Sequence, residues 1–146
     1  CPGQLVVAAS EETIGKLEEK AGQAGGRCVR LAVSGAFHSP FMEEACGKLQ
    51  KWLSHAELCK PEIPLYANVD ARPYTKERAA DLIARQVVSP VQWQKTIEQM
   101  TADGFDTFIE VGAGKTLSGL VKKIDRGARV FHVEDLQSLE ETVGAF

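Results

Sequence analysis

Short apolar runs alternate along this chain with longer segments in which apolar residues recur every three or four positions. That alternation predicts an α/β protein, with strands separated by helices. Leu5–Ala9 reads as a strand, and Ser10 after it as the N-cap of a helix whose first turn carries Glu11 and Glu12. Ile14, Leu17, Ala21 and Ala24 space the apolar face of that helix, and Gly25-Gly26 ends it. Cys28–Val33 reads as a second strand. Ser34–Pro40 is then a loop, with Ser39 as an N-cap and Pro40 at the first helical position. Phe41, Ala45, Leu49, Trp52 and Leu53 lay one apolar stripe along the helix that follows, which Pro61 and Pro64 stop.

The second half continues the pattern. Leu65–Val69 is a short strand running into the turn-rich Asp70-Ala71-Arg72-Pro73, and Lys76–Gln86 is a helix. Ser89-Pro90 opens another helix that closes near Gly104. Phe105–Val111 is the most apolar strand; Gly112-Ala113-Gly114 follows it, then a helix through Arg126, a strand at Ala128–Val133 and a helix at Leu136–Val143. Strands joined through helices imply a parallel sheet with right-handed crossovers.

A chain of 146 residues is the size of one ordinary domain, and its 25% of charged residues is ordinary globular usage. Nothing in it is apolar for long enough to span a membrane, and no secretory signal opens it. A formal net charge of −3 argues against nucleic acid as a partner. Cys1, Cys28, Cys46 and Cys59 have no zinc-ligand spacing, so they read as reduced thiols of a cytoplasmic protein, with no metal expected. Opening on Cys1, in a turn that feeds a strand, looks like a cut through a longer protein.

Two stretches invite chemistry. Gly112-Ala113-Gly114-Lys115-Thr116 resembles a phosphate loop, but the loop's leading glycine falls on Ile109, inside the strand. A tight strand-to-helix turn is the better reading, with an anion still able to use the helix N-terminus. Among the histidines, His55 sits on a polar helix shoulder and His132 within a strand, whereas His38 occupies a loop between a strand end and a helix, where functional side chains gather in open α/β sheets. A histidine base needs a nucleophile, and no Gly-x-Ser-x-Gly elbow occurs; Ser34-Gly35 and Ser118-Gly119 lack the leading glycine.

At this point the chain resembles a family. Cys1-Pro2-Gly3-Gln4 is similar to the Ser-Pro-Gly-Gln stretch of the malonyl-CoA:acyl-carrier-protein transacylases. Leu31 to Met42, containing Ser34-Gly35-Ala36-Phe37-His38-Ser39-Pro40, resembles the segment holding their catalytic histidine. Tyr66-Ala67-Asn68-Val69-Asp70, Gln86-Val87-Val88-Ser89-Pro90-Val91-Gln92-Trp93 and Glu110-Val111-Gly112-Ala113-Gly114-Lys115 match three further stretches, in the family order. Cys1 in place of a usual serine and Ala113 in place of a usual proline are the departures.

The resemblance implies a partial α/β-hydrolase-like acyltransferase core plus half of a ferredoxin-like small subdomain. Residues 1–31 would form the second half of that subdomain and residues 32–146 the carboxy-terminal part of the core. It implies transfer of a malonyl group from CoA to acyl carrier protein, in fatty-acid biosynthesis, by a ping-pong serine/histidine mechanism. His38 matches the general base, and Gln86 the amide-bearing residue whose backbone carbonyl orients it. Phe37 matches the position that favours malonyl over methylmalonyl, while Gln4 and Asn68 match positions near the cleft between subdomains. No cofactor is implied beyond the substrates malonyl-CoA and phosphopantetheinylated acyl carrier protein. The serine elbow, an oxyanion-hole glutamine and an arginine for the malonyl carboxylate would lie in a missing amino-terminal half. Lys115, Lys122, Lys123 and Arg126, on or beside one helix, form a candidate docking patch for the acidic carrier protein. The alternatives are an acyltransferase fragment of a polyketide or multidomain fatty-acid synthase, or a non-catalytic α/β protein-binding module.

Overall fold

The computed structural model describes residues 1–33 and 35–146; Ser34, the first residue of the histidine loop, lies outside them. The described residues divide into two compact units. One comprises Val6–Leu65 and Pro73–Val91; the other comprises Cys1–Leu5, Tyr66–Arg72 and Gln92–Phe146.

The Val6–Leu65/Pro73–Val91 unit is helical. Helix α1 (Glu11–Gln23) starts at Ser10, whose hydroxyl accepts the Thr13 N–H. Its C-terminal carbonyls are closed by the Gly25 and Gly26 N–H groups, with Gly25 at φ +77° where a side chain would be strained. A 3-10 turn at Pro40–Met42 leads into α2 (Glu43–Leu53), which packs against α3 (Lys76–Arg85). Cys46, Leu53 and Ala84 form the core between them, flanked by Leu49, Ile83, Val87 and Val88.

The stripe expected on α2 is therefore only partly right. Leu49 and Leu53 do face inward, but the third inward residue is Cys46, whereas Phe41, Ala45 and Trp52 are exposed. For Phe41 the reason is local, since it belongs to a tighter 3-10 turn whose angular phase does not carry into the α-helix; Ala45 and Trp52 lie to one side of the Cys46–Leu49–Leu53 face that α3 covers.

The other unit holds the sheet. Strand β1 (Thr107–Val111) pairs in parallel with β2 (Arg129–Val133), in a register that sets Ile109 beside Phe131 and Glu110 beside His132. Helix α4 (Trp93–Ala102) precedes β1, α5 (Thr116–Ile124) makes the crossover, and α6 (Leu136–Val143) follows β2. Gly104, at φ +99°, turns the chain from α4 toward β1. Asp135 and Ser138 cap α6 reciprocally, each side chain accepting the other's backbone N–H.

Three expected strands are absent. Leu5–Ala9 and Cys28–Val33 are extended but carry no ladder, and within Leu65–Val69 only Tyr66 makes an isolated bridge. Alternation makes a segment extended; a strand also requires a neighbour for its N–H and C=O groups. Among the described residues Leu5–Ala9 and Cys28–Val33 have none, and Leu5, Val6, Val29, Leu31 and Val33 are exposed; Leu65–Val69 has only the short stretch after it, through the Ala67 N–H to Arg72 O and the Tyr74 N–H to Leu65 O. No helix among the described residues is long and apolar enough to cross a membrane.

Candidate active site

The histidine loop is held from the α3 side. The His38 N–H donates to Val87 O at 2.9 Å, and His38 Nδ1 lies 2.8 Å from Gln86 O. A carbonyl oxygen only accepts, so Nδ1 carries the proton in this contact. The neutral ring therefore keeps its free lone pair on Nε2, which has no hydrogen-bond partner among the described residues. Gln86 is the C-cap residue of α3, and its own N–H returns to Leu82 O. The negative end of the α3 dipole thus faces the donor side of the imidazole.

His38 sits at φ +61°, one of two non-glycine residues with positive φ among the described residues, the other being Ala71 at φ +59°. A side chain with a β-carbon resists this region by about 1–2 kcal/mol. Such strain persists where surrounding bonds over-determine the backbone, a situation common at functional sites. Ser39 supplies one of those bonds. Its hydroxyl was expected to cap the following helix, but it makes no cap and instead donates back to Ala36 O at 2.5 Å. Nothing in residue spacing signals that reversal.

Phe37, beside the histidine, is 54% exposed, its ring lying over Gly35. His38, Phe37 and Gln86 belong to the same unit, whereas Gln4 and Asn68 belong to the sheet-bearing unit. Gln4 is exposed, its Oε1 accepting from Cys1 Sγ. Asn68 is half-buried, and its backbone oxygen accepts the Gln92 N–H at 2.8 Å. The loop carrying Asn68 is tied to the end of α4 through Tyr66, whose hydroxyl donates to Asp103; that bond pushes the tyrosine up to about 12. Trp93 is half-buried, with its indole N–H enclosed and without an acceptor among the described residues.

The other histidines are placed differently. His55 is exposed, with Nδ1 3.0 Å from Lys51 O. His132 lies in β2, with Nε2 3.5 Å from Glu134.

The glycine turn after β1 carries its own anions. Glu110 accepts the Leu117 N–H at 3.0 Å and the Ser118 N–H at 2.7 Å, and Glu134 accepts the Gly114 N–H at 2.8 Å. The Ser118 N–H above all, then the Ser118 hydroxyl and the Leu117 N–H, hold the Glu110 carboxyl below its ordinary range. The helix N-terminus that the sequence leaves open to a phosphate is thus filled by a side chain from the preceding strand. Reading the turn with Glu110 included, rather than from Gly112 onward, offers the signal for this. Among the described residues no three His, Cys, Asp or Glu side chains gather in a way that could hold a metal ion.

The chain thus holds a parallel strand pair joined through a helix in one unit and, in the other, an exposed loop histidine whose Nδ1 is fixed on a backbone carbonyl. Residues 1–139 match the acyl transferase domain family, and the chain belongs to it. It is 37% identical over 142 residues to the malonyl CoA-acyl carrier protein transacylase of Bacillus subtilis, a match covering 96% of this chain and 45% of that protein. The crystal structure of the malonyl CoA-acyl carrier protein transacylase from Clostridium perfringens superposes with a TM-score of 0.86 at 38% identity, covering 90% of this chain and 42% of that one. The malonyl-transacylase PlMCAT, solved with its type II PKS acyl-carrier protein AntF, superposes at 0.89 with 30% identity, over 93% of this chain and 45% of that one. The chain thus spans a little under half the length of these relatives.

Proposed function

We propose that this chain is the base-bearing part of a malonyl-CoA:acyl-carrier-protein transacylase of fatty-acid biosynthesis. The observation that carries the reading is the His38 ring, exposed, with Nδ1–H committed to Gln86 O and the Nε2 lone pair free. In the full-length protein an amino-terminal half supplies the serine. His38 Nε2 takes the serine proton as the serine oxygen attacks the malonyl thioester carbonyl. Collapse of the tetrahedral adduct expels CoA, whose sulfur leaves with that proton. The pantetheine thiol of acyl carrier protein then attacks the malonyl ester, His38 again accepting the proton and returning it to the serine oxygen. Gln86 acts as the orienting residue through its carbonyl.

Supporting the division of the protein are the absence of a serine elbow from the sequence and the exposed, unladdered apolar segments around Leu5–Val7 and Val29–Val33. In this reading residues 1–31 complete a ferredoxin-like subdomain and residues 32–146 the core. Phe37 crowds an α-methyl branch, a discrimination worth about 1–3 kcal/mol. Gln4 and Asn68 contact malonyl-CoA. Four free cysteines suit the reducing cytoplasm as the site of action. No cofactor takes part.

The test is an intact mass of the full-length protein before and after malonyl-CoA. A gain of one malonyl group, mapped to a serine upstream of this chain, is expected; a protein that never acylates would overturn the reading.

Carrier protein docks, in this reading, on α5. Lys115, Lys122, Lys123 and Arg126 are all exposed and have no salt-bridge partner among the described residues. Reversing Lys122 and Lys123 to glutamate is expected to raise the KM for acyl carrier protein roughly tenfold, with loading from malonyl-CoA unchanged. An unchanged KM removes the patch from the docking surface.

A further inference from the structure

Ser39 is buried, with 4% of its surface exposed, and among the described residues it is the sole buried polar side chain of its unit. A serine at the N-cap before Pro40 would ordinarily serve the helix N-terminus. This one does not: its hydroxyl turns inward and donates to Ala36 O at 2.5 Å, while its carbonyl accepts the Met42 N–H at 3.1 Å. The Ser39–Ala36 bond therefore closes a loop across Phe37 and His38, fixing the backbone on both sides of the histidine. The two bonds from His38 to Val87 O and Gln86 O attach that closed loop to the end of α3. The left-handed His38 backbone is thus held from three directions, one of them a side chain whose only donor contact is this carbonyl.

We infer that Ser39 is a positioning residue for His38: its hydroxyl, by closing the Ala36–Ser39 turn, keeps the imidazole on Gln86 O and the Nε2 lone pair outward. The inference rests on the reading of His38 as the base. Without the hydroxyl, the His38 backbone relaxes toward negative φ, and the Nδ1–H bond to Gln86 is lost in a large fraction of molecules.

The experiment uses the full-length protein carrying Ser39→Ala, Ser39→Thr or Ser39→Cys, with 15N-labelled histidine. Two quantities are measured: the Nδ1–H signal of His38 by NMR, and kcat and KM for malonyl transfer. In wild type the Nδ1–H tautomer dominates. Ser39→Ala should lose that signal and lower kcat roughly tenfold to a hundredfold, as misplacement of a catalytic group does, with KM for malonyl-CoA unchanged. Ser39→Thr, which keeps the hydroxyl, should restore both. If Ser39→Ala does not fold, Ser39→Cys carries the test, because it preserves the buried volume with a weaker donor; an unchanged signal and kcat there overturn the inference. A retained Nδ1–H signal in folded Ser39→Ala overturns it too. Loss of the signal with kcat unchanged likewise overturns it, and His38→Ala then shows which link failed: a dead His38→Ala enzyme spares the base and removes only Ser39.

Discussion

Replacing His38 with alanine in the full-length protein is expected to lower turnover of malonyl transfer by about 10²- to 10⁴-fold, the range over which a positioned general base contributes. The loss should fall on kcat and on formation of the malonyl-enzyme, since a neutral serine hydroxyl is a poor nucleophile without a base. KM for malonyl-CoA should move little, because the ring acts on the reacting proton and not on the acyl chain. Backbone effects should be small, because the bond from the residue 38 N–H to Val87 O survives the substitution. Single-turnover acylation followed by mass, beside steady-state rates, separates the two steps. An enzyme that acylates at the wild-type rate would leave His38 as a loop residue and favour a protein-binding module.

The largest expected effect on stability comes from Leu53→Ala. Leu53 is 5% exposed at the end of α2, packed with Cys46 and Ala84. Truncation there removes buried methyl groups and leaves a cavity between two short helices, at a cost of about 2–5 kcal/mol. A lower midpoint with an unchanged slope in urea denaturation is the signature of a pure stability loss. The site should feel it too. Helix α2 follows the histidine loop through the 3-10 turn, and α3 ends at Gln86, so Leu53 and Ala84 hold together the two segments that meet at the His38 ring. A loss below about 1 kcal/mol would mean that this interface relaxes around the cavity and carries little of the unit's stability.

Much of the local structure was legible where the code is local. Ser10 and Gly25 bracket α1, Gly104 closes the turn after α4, and Leu136–Val143 is a helix, all on capping and turn chemistry. The β1–α5–β2 unit was visible from two apolar runs flanking a helical period. What stayed hidden depends on distant partners or on side-chain direction. Leu5–Ala9 and Cys28–Val33 alternate as strands do, yet alternation carries no information about who pairs with them. The inward direction of Cys46 over Ala45 was set by where α3 packs on α2, which the apolar spacing along α2 alone does not register. At the site, His38 and Gln86 are 48 residues apart, and only family resemblance linked them. Ser39 and Glu110 escaped for the same physical reason: each makes bonds that reverse the ordinary role of its position, one declining to cap a helix and the other stoppering one.

The partner of the His38 ring is a peptide carbonyl, not a side chain. Orientation of the imidazole is consequently written into the path of the main chain where α3 ends. A change of side chain at residue 86 that leaves the main-chain path in place leaves this contact in place, so alanine scanning at Gln86 is blind to it. Insertions, deletions or a proline that re-routes the 86–88 segment are what would unseat it, making the length of that helix a more stringent constraint than the identity of its last residue.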